Sequence, residues 1–118
     1  MKAIRAAADY PPIPLSPRTL RRSEVTIIAA MYFPLEEVDN AVDVCRLESG
    51  YNTAAWNNDG EDSRGLWQIN VGPGAHPDLK KDNLFDPQVN GFYAGLIFRN
   101  SGWRAWYNSA VKLGLIEP

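Results

Sequence analysis

The stretch that decides the reading is Glu48-Ser49-Gly50-Tyr51-Asn52, continued by Ser63-Arg64-Gly65-Leu66-Trp67-Gln68-Ile69-Asn70. The first part closes a helix and the second reads as a buried strand or turn. The helical period predicts a helix from Pro34 to Ser49. Leu35, Val38, Ala41, Val42, Val44 and Cys45 make one apolar arc, with Asp39, Asp43 and Arg46 on the other side. Glu48 falls inside the arc, in the last turn before Gly50. Partial burial disfavours a charged carboxylate there, and the helix C-terminus, the negative end of the dipole, disfavours it too. A carboxyl that keeps its proton near neutral pH can act as a general acid. The plain alternative is a structural ion pair with Arg46 or Arg64.

Taken together, the two halves resemble the signature of the lysozyme-like superfamily, in particular the soluble lytic transglycosylase domain. That pattern runs Glu-Ser-x-aromatic-Asn, a short variable piece, then Gly-Leu-Met-Gln-Ile. Here Trp67 stands where the family usually has Met, and Glu48 and Gln68 lie 20 positions apart, close to the family's spacing. The match is strong over about 23 residues and loose from Pro34 to the C-terminus. Either half alone would be weak; the pair is specific. The resemblance implies a mainly α, lysozyme-like fold (α+β with a small hairpin or flap) that cleaves the β-1,4 bond between N-acetylmuramic acid and N-acetylglucosamine in peptidoglycan.

The 118 residues suffice for one domain with one core. Apolar content of 45% and charge of 22% are ordinary for a globular chain. A net charge of −2 offers no basic patch for nucleic acid or an anionic membrane, and no apolar run reaches the ~20 residues that span a bilayer. One cysteine excludes an internal disulfide; Cys45 reads as a small buried hydrophobe. His76 is the only histidine and sits in a loop-like His-Pro, a poor base for a catalytic thiol. No metal-ligand spacing occurs, so neither metal nor cofactor is expected.

Residues 1–17, with Pro11, Pro12, Pro14 and Pro17, are expected as an extended arm, either a plain leader or a docking segment for a partner. The lysozyme-like domain is expected over 18–118. Met1 to Ala8 has no apolar region of signal-peptide length. Action at the bacterial wall would then need another route, such as release through lysis pores, fusion, or delivery on a virus particle. A phage or virion-associated protein is the expected origin.

Leu20, Val25, Ile27, Ile28 and Met31 predict a helix from about Arg18 to Tyr32, stopped by Pro34. Asn58-Asp59-Gly60 signals a tight turn, hence a hairpin or irregular flap between Tyr51 and Ser63, with Gly65 to Asn70 returning beneath the helix. Val71 to Asp82 is expected as loop. Asp86-Pro87 caps a helix to about Arg99 whose apolar stripe is Val89, Phe92, Tyr93, Leu96 and Ile97. Gly91 and Gly95 on one side of it mark a close helix contact or a groove floor. Ser101 is expected to cap a last helix ended by Gly114.

Glycoside cleavage needs a proton donor for the leaving oxygen and a second group for the oxocarbenium-like centre. Glu48 is the candidate acid. Asp59, Glu61 and Asp62 on the flap are available as a second carboxylate; Asp62 stands as the candidate for a hydrolysing muramidase. Lytic transglycosylases, by resemblance, use one Glu as acid and then base, while the sugar's N-acetyl and 6-hydroxyl groups complete a 1,6-anhydro end. By the same resemblance Gln68 is a cleft glutamine near the acid; otherwise it is a buried amide bonding backbone. Asn57 could replace a family serine that orients the acetamido group. The partial echo Ala105-Trp106-Tyr107-Asn108-Ser109 offers Tyr107 as the hydroxyl near the acid, with Tyr93 as the other choice. Trp67 and Trp56 are the expected aromatic walls for sugar rings, with Trp103 and Trp106 in the core. A non-catalytic glycan-binding or structural module of the same fold is the third reading.

Overall fold

In a computed structural model, residues 18–118 are described. The Pro-rich arm expected over residues 1–17 lies outside the described residues.

The first helix, α1, runs Arg22–Tyr32, four residues later than expected. Residues 18–20 are instead extended and pair with the segment after Gly50: Thr19 bridges Asn52, and Leu20 N donates to Tyr51 O at 2.8 Å. The Glu24 carboxylate delays the helix start. It accepts from Arg21 N at 2.9 Å, as an N-terminal capping group does, and pairs with Arg18. Pro34 begins a 3₁₀ turn, Leu35–Glu37, that leads into α2, Val38–Ser49. The predicted arc of α2 is buried except for Leu35, which sits on the 3₁₀ turn and is 82% exposed. Gly50 ends α2 in the left-handed conformation, φ 61°.

The flap is a three-stranded antiparallel sheet of two-residue strands: β1 Trp56–Asn57, β2 Ser63–Arg64 and β3 Ile69–Asn70, in that order. Trp56 faces Arg64 and Asn57 faces Ser63, and Gly60 (φ 78°) lies in the connection between these strands. The expected loop 71–82 contains a 3₁₀ helix, Pro77–Lys81.

The next helix, α3, runs Pro87–Ser101, with the Asp86 carboxylate accepting from Gln88 N at 2.8 Å. Its most buried face is not the predicted stripe. Asn90, Gly91, Ala94 and Gly95 are buried, while Leu96 is 45% exposed. The cause is close packing on α1: a Cβ on Gly95 would lie 2.2 Å from Tyr32 O, and one on Gly91 2.4 Å from an Ile28 methyl. The two helices meet across small residues, and the larger ones flank the contact. A 3₁₀ helix, Gly102–Trp106, then precedes a short α4, Tyr107–Lys112.

Trp67 sits at the centre of the core and is fully buried, which corrects its expected place on a cleft wall. Its indole donates to Ala41 O at 3.0 Å and packs on Phe33 at 5.4 Å; Phe33 in turn stacks on Trp103. Trp106 donates to Trp67 O at 2.8 Å. Trp103 and Trp106 are buried as expected.

Candidate active site

Glu48 stands in the last turn of α2, half-buried, where the helix meets α4. The buried Ser109 hydroxyl, on α4, donates to its Oε2 at 2.5 Å. Burial raises the carboxyl's pKa; the Ser109 bond pulls it partly back by favouring the anion, and the charge of Glu61 on the flap raises it further. The net direction is upward, so Glu48 holds its proton to higher pH than an ordinary carboxyl. Neither Tyr107 nor Tyr93 makes this bond. Tyr107 opens α4 and is 44% exposed. The Tyr93 hydroxyl donates to Asp82 Oδ2 at 2.6 Å, which pushes its pKa up to about 12. Sequence reasoning missed Ser109, although the motif echo ends on it.

The flap fixes most of the other expected residues. Asp62 is a fastener: its carboxylate accepts from Arg64 Nε at 2.8 Å and Nη2 at 2.9 Å, and from the Trp56 indole at 2.8 Å. Arg64 holds that carboxyl below the usual range. Arg64 and Trp56 thus tie the Asp62 carboxylate into the flap. Trp56 stays 56% exposed on the flap while its indole N–H is tied down. Asn57 is exposed, and its side-chain oxygen accepts from Asp59 N at 3.2 Å, closing the turn. Gln68 adopts φ 50°, a strained value for a non-glycine residue. Its amide nitrogen donates to Ala55 O and Gly65 O, both at 3.0 Å, so that end of the side chain bonds backbone.

The segment before Gln68 is seated by Asn90, another residue the sequence did not single out. Fully buried on α3, Asn90 accepts from Trp67 N at 2.9 Å and donates to Arg64 O and Leu84 O, each at 2.9 Å. Gly65 passes so close that a Cβ would lie 2.2 Å from Leu84 O, and its φ of 75° suits glycine.

Three cavities lie among these elements, the first sharing lining residues with each of the other two. A cavity of about 580 Å³ is lined by Gln68, Asn70, His76, Ile97, Arg104 and Trp106, among others. Asn70 also lines a second, of about 350 Å³, with Glu61, Asp62 and Lys80. His76, Ile97 and Ser101 are shared with a third, of about 310 Å³, which Tyr93 also lines. Glu48 lines none of the three. Its links to them are Glu61, whose charge bears on it from the second cavity, and Ser109, three residues beyond Trp106 of the first.

Against the lysozyme-like domain model (SLT_3), the chain matches over residues 26–108. The chain belongs to the lysozyme-like domain family. The match takes in both halves of the opening motif and all three strands, and ends one residue before Ser109. A search of curated proteins finds no match. A lysozyme-like domain of this type is a glycosidase or transglycosylase in kind, with peptidoglycan as its fitting substrate and the bacterial wall as its place of action. Among the described residues no helix is long and apolar enough to cross a membrane, and no group of three His, Cys, Asp or Glu is placed to hold a metal ion.

Proposed function

We propose that this domain cleaves the β-1,4 bond between N-acetylmuramic acid and N-acetylglucosamine as a lytic transglycosylase, leaving 1,6-anhydro ends. The observation that carries the reading is Glu48: a half-buried carboxyl of raised pKa, aimed by Ser109. The protonated carboxyl gives its proton to the leaving glycosidic oxygen. The resulting carboxylate then takes the proton of the muramic acid's 6-hydroxyl as that oxygen closes on C1. Such a route needs no second carboxylate, which accords with Asp62 being engaged by Arg64. Gln68, Asn57, Trp56, Tyr107 and Tyr93 remain proposed substrate contacts, Gln68 and Tyr93 from cavity walls, and Trp67 is withdrawn from that set.

A hydrolysing muramidase is the second reading, favoured by one observation. Glu61 is exposed on the flap and its charge reaches Glu48. In this reading Asp62, or Glu61 beside it, is the carboxylate that activates water.

Digesting purified peptidoglycan and weighing the new ends by mass spectrometry separates the readings. Anhydro-muramic ends support the transglycosylase and reducing ends the hydrolase; no new ends leave a glycan-binding module. Glu48→Gln is expected to lower the rate by about 10²–10⁴-fold with the fold retained by circular dichroism. Retained activity would sink the acid assignment.

A further inference from the structure

The chain leaves Glu48 and Ser49 through two consecutive left-handed residues, Gly50 at φ 61° and Tyr51 at φ 67°. Glycine takes that conformation freely, whereas a bulky aromatic residue keeps it only where its surroundings hold it. Three hydrogen bonds hold Tyr51. Its N–H donates to Ser49 Oγ at 3.2 Å. Its carbonyl accepts from Leu20 N at 2.8 Å. Its hydroxyl accepts from Arg22 Nη1 at 3.0 Å, and the same nitrogen reaches Asp43 Oδ1 on α2 at 3.0 Å. Two residues on, the buried Thr53 meets Arg18 twice. Its N–H donates to Arg18 O at 2.9 Å, and its hydroxyl accepts from Arg18 N at 3.0 Å. Glu24 secures the other side of this segment, pairing with Arg18 and accepting from Arg21 N at 2.9 Å. Residues 18–22 therefore grip the turn that follows the acid, and they precede the 26–108 that match the family model.

Glu48 lies in the last turn of α2, one residue before the helix ends. Helix ends fray unless the chain beyond them is held. The Ser109 hydroxyl reaches Glu48 Oε2 from α4, so it can aim the carboxyl only while the end of α2 stays in place. A displacement of the order of 1 Å at a reacting group is enough to slow chemistry severely. We propose that residues 18–22 are a positioning brace for Glu48, acting through Tyr51 and Thr53. Arg22 and Thr53 are the positioning residues whose side chains carry it, and neither takes part in bond cleavage. The inference rests on Glu48 being the acid.

The test measures kcat and KM on soluble peptidoglycan fragments for full-length variants. Tyr51→Phe removes only the hydroxyl that Arg22 grips, Arg22→Met removes its partner, and Thr53→Val removes the buried hydroxyl at nearly constant volume. Each is expected to lower kcat by about three- to tenfold with KM unchanged. Thr53→Ser, which keeps the hydroxyl, should restore the rate. Tyr51→Phe combined with Arg22→Met should lose no more than Arg22→Met alone, because the two act through one bond. Ile28→Val, a buried truncation on α1, is the stability control: it should lower Tm and leave kcat unchanged. A kcat that merely tracks Tm across the whole set overturns the brace, and so does a change confined to KM. If Thr53→Val does not fold, the Tyr51 and Arg22 variants carry the test. A second readout needs no catalysis: a carbon-13 NMR titration of the Glu48 carboxyl. Burial is the main cause that raises its pKa, with the charge of Glu61 adding and the Ser109 bond subtracting. A loosened helix end admits water, so the brace variants should titrate lower than wild type, whereas Ile28→Val should not. An unmoved titration in the brace variants overturns the inference. A wild type that makes no new ends would sink the proposed function instead, and the titration alone would then decide the brace.

Discussion

At Glu48 burial and hydrogen bonding pull in opposite directions, and burial prevails. Ser109 donates to the carboxylate and so favours the ionised form. Removing that donor with Ser109→Ala should raise the acid's pKa further. The alkaline limb of the kcat/KM profile, which follows the free enzyme's acid, should then move to higher pH. The maximal rate should fall up to about tenfold as the carboxyl loses its anchor. A pH–rate series checks both. The same residue has a signature in stability. Because its folded pKa is raised, the native state binds more protons than the unfolded chain. Stability is therefore full below the unfolded value and declines as pH rises through the folded one. Glu48→Gln removes that penalty. Its Tm should exceed wild type by a few degrees at neutral pH and match it near pH 4, measured by calorimetry. The position of Glu48 was legible because a helix's spacing fixes which face each residue takes. Ser109 was not, because its meeting with Glu48 depends on how a distant short helix crosses α2.

At the scale of elements, the flap is held less by its two-residue strands than by the cluster of Asp62, Arg64 and Trp56. Asp62→Asn leaves the side chain's size intact but removes the charge that Arg64 grips. The expected outcome is a flap that opens more easily and a cleavage rate reduced a few-fold; loss on the scale of Glu48→Gln would make Asp62 a catalytic partner. Steady-state rates of the two variants side by side decide this. The sequence held a usable signal for this pair. Residues two apart in an extended chain share a face, so Asp62 and Arg64 were placed to meet. Glycan chemistry instead drew attention to the carboxylate alone. The stripe of α3 failed for a different reason: an apolar wheel weighs size, while the contact with α1 requires its absence, at Gly91 and Gly95.

Across the described residues, the main helices and the flap between them were readable from breakers and periodicity, but Ser101 ends α3 instead of capping the last helix, which a 3₁₀ helix precedes. What periodicity could not assign was which aromatic ring fills the middle. Trp67 lies beside Gln68 and would suit a sugar, but a domain of this size needs one large side chain where α2, the flap and the 3₁₀ helix Gly102–Trp106 converge. Trp67→Ala should cost about 3–5 kcal/mol in urea unfolding, far more than the loss of the exposed Trp56. Asn90 ties the same region together by a different means. Its one amide satisfies the backbone N–H of Trp67 and two carbonyls, those of Arg64 and Leu84. An aspartate in its place would turn a negative oxygen on two carbonyls, and a leucine would strand all three backbone groups. Nor can the flap's root loosen while the long helix stays put: any breathing at Arg64 must first break a bond to α3. The sheet is thereby denied a private hinge, and its motions are coupled to those of α3.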